Sequence, residues 1–128
     1  MVAVYSESPV GRRYLLLHNA DKQIGEAGDW VWGCPSGCRD PGEDIGTCAA
    51  RELWEETGIR ADPTPVVTRD IGWAVFRLQV PWDTPVRLTP DEHNAFGWFA
   101  LDESSERLLP ELQANSFRLA VEAIEVNL

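Results

Sequence analysis

One short segment of the chain carries three glutamates on a single face of a predicted helix. The residues CAARELWEET, positions 48–57, are rich in good helix formers, and Gly58 is suited to end the helix in the left-handed conformation. Within this helix Glu52, Glu55 and Glu56 fall inside an arc of about 100°. Like charges three or four residues apart on a helix repel one another. We expect a positively charged group to offset this repulsion between the three glutamates.

Strand-like and helix-like segments surround this helix in an order that limits the fold. Thr47 is a suitable N-cap for the helix, and Pro63 and Pro65 predict a loop after it. A second helical segment is predicted from Asp102, and a longer helix has Pro110 near its first turn. Apolar and β-branched runs predict strands at 2–5, 13–18, 29–33, 70–80 and 95–100. This order predicts an α/β fold, in which a mixed sheet carries helices on both faces.

The length and composition of the chain favour one soluble domain. Its 128 residues are enough for a single domain with a hydrophobic core, which we expect to span residues 1–128. Hydrophobic residues make up 44% of the chain and charged residues 25%, as in ordinary soluble proteins. No apolar run reaches the length of a membrane span, and the first residues do not resemble a signal peptide. We therefore expect a cytoplasmic protein with no membrane contact.

The charge and the cysteines each disfavour one kind of site. A formal net charge of −10 argues against a nucleic-acid duplex as partner, because duplex binding depends on clustered Lys and Arg. A free nucleotide held through metal ions is compatible with this charge. Cys34, Cys38 and Cys48 are odd in number, which disfavours a disulfide framework, and their spacing with His18 or His93 matches no standard zinc site. We expect free or buried thiols.

The acidic helix and the loop before it form one continuous pattern. Gly37 begins this pattern, five residues separate it from Glu43, and seven more precede Arg51. The remaining fixed positions are Glu52, the aliphatic Leu53, Glu55, Glu56, Gly58 and the aliphatic Ile59. This segment of 23 residues resembles the Nudix box, and every fixed position of the box is filled without a gap. A match at so many positions is improbable by chance, so the chain resembles the Nudix hydrolase family.

Two further stretches resemble the same family outside the box. The residues DWVWGCPSG at 29–37 are similar to the strand and Pro-Gly-Gly turn that precede the box, with Ser36 in place of the first glycine. The residues EHNAFGWFALDE at 92–103 are similar to a late strand that returns a side chain toward the metals. The resemblance therefore covers most of the chain and implies a Nudix-type α/β/α sandwich with a central mixed β-sheet.

The resemblance implies a Mg²⁺-dependent hydrolase that breaks a phosphoanhydride bond in a nucleoside diphosphate linked to another moiety. Mg²⁺, and likewise Mn²⁺, takes oxygen ligands and shares protein carboxylates with substrate phosphates. The metal ligands that the resemblance implies are Glu52, Glu55 and Glu56, with the backbone carbonyl of Gly37 or its neighbour Ser36 as a further ligand. Metals in this position would offset phosphoryl charge, orient the diphosphate and lower the pKa of the attacking water.

Catalytic roles also follow from the resemblance. The residues that it assigns to catalysis are Glu52, Glu55, Arg51 and Glu92. Arg51 is expected to pair with Glu43, which would tie the loop to the helix and orient the carboxylates. The general base is left open between a box glutamate and an acid on a late loop. Glu92 is the best late candidate, and Asp91 and His93 are the alternatives.

The substrate is less constrained than the chemistry. Trp73 and Phe76 are candidates for stacking on a base, and Arg39 is one of several basic residues suited to a terminal phosphate. The proline or tyrosine of some subfamilies is absent around Phe76, so the chain resembles members that act on nucleoside triphosphates or small nucleotide conjugates. A small-molecule nucleotide is thus the expected partner, for a monomer or homodimer. The alternatives are a catalytically silent nucleotide-binding sensor and a metal-binding structural domain.

Overall fold

The computed structural model describes residues 1–67 and 73–126. The strands are β1 (Val2–Ser8), β2 (Gly11–Asn19), β3 (Trp32–Gly33), β4 (Thr64–Val67), β5 (Val75–Gln79) and β6 (His93–Phe99). The helices are α1 (Ile45–Thr57), α2 (Leu101–Arg107) and α3 (Glu111–Val126). The strands form one sheet with a helix packed on each face, so the predicted α/β/α class is confirmed.

The sheet is mixed because β1 has one antiparallel and one parallel neighbour. The hairpin of β1 and β2 places Tyr5 opposite Tyr14, which confirms the strand pair predicted from the two apolar runs. On its other side β1 runs parallel to β5, with Val2 opposite Phe76. Strand β2 also pairs antiparallel with β6 and with the short β3, and β4 pairs antiparallel with β5.

Alternate residues of β1 and β2 enter two separate cores, because neighbouring side chains of a strand point to opposite faces. The core between the sheet and α1 includes Val2, Val4, Leu15, Leu17 and Leu53. The core between the sheet and α3 includes Ala3, Tyr5, Leu16, Phe117 and Ile124. Leu53 is fully buried, so it fixes α1 against the sheet and gives the neighbouring Glu52 a defined position.

Helix α1 begins earlier than the sequence predicted. Its N-cap is Asp44, whose side chain accepts hydrogen bonds from the backbone N–H groups of Gly46 and Thr47. The prediction of Thr47 as the N-cap was wrong, since Asp44 is an equally strong cap and Gly46 is tolerated in the first turn. The predicted end is confirmed, because Gly58 adopts a left-handed conformation with a φ of 74°.

Three other predicted boundaries differ from the structure. The predicted strand at 29–33 is reduced to β3, because Trp30 has a φ of 61° and cannot extend the strand. The loop predicted around Pro65 contains β4, the last strand in the sheet order, and an edge strand tolerates proline. Of the strand predicted at 70–80, Val75–Gln79 form β5, and Trp73, Ala74 and Val80 lie outside the strand. Residues 70–72 lie outside the described residues.

The two C-terminal helices follow the predicted order. Helix α2 is capped at Ala100, whose N–H donates to the Glu103 side chain at 2.9 Å, two residues before the start expected at Asp102. Helix α3 begins directly after Pro110, as predicted. Within the described ranges, no helix is both long enough and apolar enough to span a bilayer.

Candidate functional site

Arg51 links the loop before α1 to the helix. Its Nε and Nη2 atoms donate to the two carboxylate oxygens of Glu43 at 2.7 and 2.9 Å, which is a bidentate pair, and Nη2 also donates to the carbonyl of Cys38 at 3.1 Å. The predicted pairing of Arg51 with Glu43 is therefore confirmed. The Arg51 guanidinium holds the pKa of Glu43 down to about 2. The loop is thus tied to the helix by a charged clamp.

The same guanidinium also contacts two carboxylates of the helix. Nη1 of Arg51 lies 2.9 Å from Glu52 Oε1 and 3.2 Å from Glu55 Oε2. Burial raises the pKa of Glu52, although the contact with Arg51 acts in the opposite direction. Glu55 lies on the exposed side of the helix, with a side chain that is 47% accessible to solvent. Arg51 therefore offsets part of the charge repulsion that the sequence shows on this face.

Gly37 lies against the carboxylate of Glu52. A Cβ atom at position 37 would overlap the Glu52 carboxyl group, so only glycine leaves room for that side chain. This close approach explains why the loop needs a residue without a side chain here. It also places the loop backbone next to a predicted metal ligand, although the Gly37 carbonyl has no assigned contact in the described structure.

Glu56 differs from its neighbours because it is buried, with a side chain only 3% accessible. Its Oε2 accepts a hydrogen bond from the backbone N–H of Ser36 at 3.2 Å. Burial, together with the nearby charges of Glu52 and Glu92, raises the pKa of Glu56 to about 9. No Arg or Lys among the described residues is paired with it.

The loop between β5 and β6, called the late loop here, brings a second group of side chains to Glu56 together with His93 at the start of β6. Glu92, His93 and Glu56 each offer one ligand atom, and these three atoms lie within 4.8 Å of one another. Nδ1 of His93 is 3.7 Å from Oε1 of Glu56, and burial lowers the pKa of the imidazole. Asp91, the other late acid considered, is exposed and is not part of this group in the described structure.

Backbone contacts fix the late loop to the end of α1. The hydroxyl of Thr89 donates to the carbonyl of Glu55 at 2.7 Å, and the N–H of Arg87 donates to the carbonyl of Thr57 at 2.8 Å. The N–H groups of Glu92 and His93 both donate to the carbonyl of Thr89. Thr89 was not singled out from the sequence, and no motif there would have marked it. It holds Glu92 and His93 beside the helix.

The donor set fits a divalent cation. Glu52, Glu55, Glu56 and Glu92 offer carboxylate oxygens, which are the ligands that Mg²⁺ and Mn²⁺ prefer. Without a cationic partner, ionising the buried carboxyl of Glu56 is costly, which agrees with its raised pKa. A cation at this position would remove that cost and compensate the repulsion between the glutamates.

A cavity of about 630 Å³ adjoins the carboxylates between the loop, α1 and the sheet. The residues from the loop and α1 that line it on its more polar side are Ser36, Gly37, Cys38, Arg39, Cys48 and Glu52. Its apolar lining residues are Met1, Val2, Ile45, Ala49, Trp73, Ala74 and Phe76. All three predicted substrate contacts, Arg39, Trp73 and Phe76, thus lie on one cavity together with Glu52.

All three cysteines are free thiols, as expected.

The three predicted substrate contacts differ in how much they offer to a ligand. Arg39 is exposed at the cavity. The Trp73 indole N–H donates to Ser116 Oγ at 2.7 Å, which fixes the ring against α3. Phe76 is only 2% exposed and packs in the core next to α1, so it forms a wall of the cavity with little free surface. The geometry therefore favours Trp73 over Phe76 for contact with a planar group.

Comparison with models of known protein families places this chain in one family. A family model described as the NUDIX domain matches residues 1–120. A MutT-like protein from Streptomyces ambofaciens is 36% identical over 91 residues, covering 66% of this chain and 58% of that protein. The asymmetrical bis(5'-nucleosyl)-tetraphosphatase of Rattus norvegicus is 32% identical over 106 residues, covering 73% and 67%. An RNA pyrophosphohydrolase from Roseobacter denitrificans is 39% identical over 60 residues, covering 47% and only 34%.

Solved structures share the same fold along nearly the whole chain. An Ap4A hydrolase from C. elegans, solved as a binary complex, superposes with a TM-score of 0.74 at 19% identity, covering 99% of this chain and 96% of that one. The dihydroneopterin triphosphate pyrophosphohydrolase of E. coli gives a TM-score of 0.73 at 18% identity, covering 95% and 93%. At these identities the likeness establishes the fold.

Proposed function

Because this chain belongs to the NUDIX domain family, we propose that it hydrolyses a phosphoanhydride bond in a nucleoside diphosphate linked to another moiety. One observation carries the proposal. Glu56 lies close enough to Glu52 and to Glu92 to interact with both charges, and Glu52 also lines the cavity of about 630 Å³. The names of the matched relatives, a tetraphosphatase and an RNA pyrophosphohydrolase among them, support the same reaction class.

We assign cation binding to the carboxylates, with Mg²⁺ or Mn²⁺ as the ion. Glu52 and Glu56 would be its principal ligands, Glu55 a further one, and the backbone at Gly37 would lie close enough to contribute. When bound, the cation neutralises phosphoryl charge and activates a water for attack on phosphorus. Arg51 would act as a positioning residue, because its hydrogen bonds hold Glu52 and Glu55 in place.

A carboxylate outside the buried group would accept the proton of the attacking water. Glu55 and Glu92 are both exposed to solvent and both neighbour Glu56, along the helix and across the late loop respectively. Either can receive a proton and release it to bulk water. The acceptor would have to lie within hydrogen-bond reach of that water, directly or through a second water.

The cavity would hold the nucleoside part of the substrate. Most of its wall is apolar, which suits a base, and Arg39 at its exposed edge suits a phosphate. The fixed ring of Trp73 provides a flat surface for stacking, and Phe76 closes the wall behind it. A nucleoside triphosphate or a small nucleotide conjugate is the substrate class that we propose.

The test is hydrolysis of a nucleotide panel with Mg²⁺ or Mn²⁺, comparing wild type with Glu56→Gln. The panel would contain 8-oxo-dGTP, the ordinary dNTPs, ADP-ribose, nucleotide sugars and diadenosine polyphosphates, with phosphate and pyrophosphate release as readouts. Glu122→Gln, an exposed change on α3, serves as the control. We expect activity on one class that is lost in Glu56→Gln and kept in the control. A silent panel with metal-dependent nucleotide binding intact would instead identify a sensor.

A further inference from the structure

His93 carries a buried nitrogen without a partner. Its Nδ1 atom is shielded from solvent and makes no hydrogen bond to any described residue. Leaving a buried polar atom unsatisfied costs about 1–3 kcal/mol, so such an atom calls for an explanation. The buried carboxylate of Glu56 lies beside it, with Oε1 3.7 Å from Nδ1. This separation is too long for a hydrogen bond.

The same separation fits two ligands of one metal ion. In octahedral coordination with bonds of about 2.1 Å, neighbouring ligand atoms lie roughly 3 Å apart and opposite ones roughly 4.2 Å apart. The 3.7 Å between His93 Nδ1 and Glu56 Oε1 lies between these two distances, so a shift of less than about 1 Å would bring both atoms to bonding distance of one ion. A carboxylate oxygen of Glu92 completes a group whose ligand atoms all lie within 4.8 Å of one another. Two carboxylates supply the charge that a divalent cation requires.

The backbone holds these ligands in register with the helix. Glu92 and His93 are adjacent in sequence, and both of their N–H groups bind the carbonyl of Thr89. Thr89 in turn binds the carbonyl of Glu55 through its hydroxyl, one residue before Glu56. The late loop and the helix therefore present their ligand atoms from a connected framework, as a preorganised metal site requires.

We propose that Glu56, Glu92 and His93 form a mixed oxygen and nitrogen site that binds a first-row transition-metal dication in preference to Mg²⁺. Imidazole nitrogen is a ligand of transition metals, whereas Mg²⁺ takes oxygen ligands. The inference rests on the proposed function, since it specifies the ion for the same cluster of glutamates. Under this assignment Glu92 is a metal ligand and not the proton acceptor.

The test uses Mn²⁺ as the probe and spectroscopy as the readout. Pulsed electron paramagnetic resonance of the Mn²⁺-loaded protein detects the nuclear spin of a coordinated imidazole nitrogen. We expect such a coupling in wild type and its loss in His93→Asn, whose side chain can offer an oxygen instead. The chain has only two histidines, His18 and His93, so the variant assigns the signal without ambiguity.

Binding affinities provide the second arm of the test. Calorimetric titration should show Mn²⁺ affinity falling at least about 10-fold in His93→Asn, with Mg²⁺ affinity little changed, since loss even of an outer-shell partner costs 10-fold or more. Circular dichroism and thermal unfolding check that the variant folds. His93→Gln provides a second variant with a longer amide, which should lose the nitrogen coupling as well.

The outcomes separate this inference from the proposed function. Mn²⁺ binding that depends on Glu56 but shows no nitrogen coupling would overturn the mixed site and leave the proposed function standing. Equal loss of Mn²⁺ and Mg²⁺ affinity in His93→Asn would also overturn the selectivity. Absence of any Mn²⁺ or Mg²⁺ binding by wild type would contradict both proposals at their shared premise.

Discussion

Two groups of carboxylates around α1 differ in whether an Arg or Lys of the protein lies beside them. Glu43, Glu52 and Glu55 surround Arg51, whose guanidinium donates a hydrogen bond to each of them. Glu56 faces the late loop, where it meets Glu92 and His93 and has no Arg or Lys among its described partners. Arg51 offsets part of the charge of the first group, whereas no Arg or Lys among the described residues is paired with Glu56 of the second. Glu52 and Glu55 are thus held by Arg51 before any ion binds, whereas Glu56 would gain its counter-charge from the ion.

The largest expected effect comes from Glu56→Gln, which removes the buried carboxylate that a cation would bind. We expect kcat to fall about 10³-fold, a loss comparable to removing one strong electrostatic contact to a transition state. Thermal unfolding near pH 7 without metal should be little changed, because the raised pKa of Glu56 already leaves its carboxyl protonated there. Addition of Mn²⁺ should raise the unfolding temperature of wild type but not of the variant. A variant that kept its activity would contradict the role of this carboxylate.

Gly37→Ala displaces the compensated group without changing any charge. The added methyl group would overlap the Glu52 carboxylate and push it out of place. A displacement of about 1 Å can reduce the rate about 10²-fold, which is the loss of kcat that we expect. Gly46→Ala is the control, since its Cβ would meet only the side chain of Asp44 at 3.1 Å. Equal activity in both variants would show that this close approach has no catalytic consequence.

Arg51→Met removes the basic partner of Glu43, Glu52 and Glu55. Neither group of carboxylates would then have an Arg or Lys among its described partners. We expect kcat to fall about 10-fold, because the carboxylates lose their positioning partner while their ligand atoms remain. The variant should also be less stable to urea than wild type. Arg12→Met is the matched control, because Arg12 pairs with Glu7 at 2.6 Å on an exposed strand end. If both arginine variants lose the same free energy of unfolding, the hydrogen bonds of Arg51 stabilise the fold no more than one ion pair does.

The smallest effect concerns pH and the pairing of Glu43 with Arg51. The folded protein holds the pKa of Glu43 at about 2, below its ordinary value of 4.5. Its contribution to stability is therefore complete above about pH 4.5 and is lost as the pH falls toward 2. The difference in urea stability between wild type and Glu43→Gln should follow this course from pH 7 to pH 2. A difference that did not change with pH would contradict an ionic origin.

The sequence predicts elements whose signals are local. The hairpin of β1 and β2 follows from two apolar runs, and the end of α1 follows from Gly58. The pair of Arg51 with Glu43 is also predictable, because both positions belong to a pattern with fixed spacing. In each case the residues that decide the outcome lie close together in the chain or in a known motif.

The remaining features depend on contacts between distant parts of the chain. The early start of α1 was missed because Asp44 and Thr47 are both good caps, and only the folded loop decides between them. The anchoring of the late loop through Thr89 has no sequence signature, since a backbone carbonyl is its acceptor. The neighbourhood of His93 and Glu56 likewise depends on this loop, so spacing alone did not predict it.

The parallel pairing of β1 with β5 has a consequence for how the chain folds. Val2 lies opposite Phe76, so the strand nearest the N-terminus gains its second neighbour only after β4 and α1 have been made. Contacts that are so distant in sequence slow folding, because a long loop must close before they form. During synthesis the hairpin of β1 and β2 would emerge early with one unpaired edge. The acidic helix packs in a core that also contains Phe76 of β5, so the core beneath the metal ligands is complete only when β5 has joined the sheet.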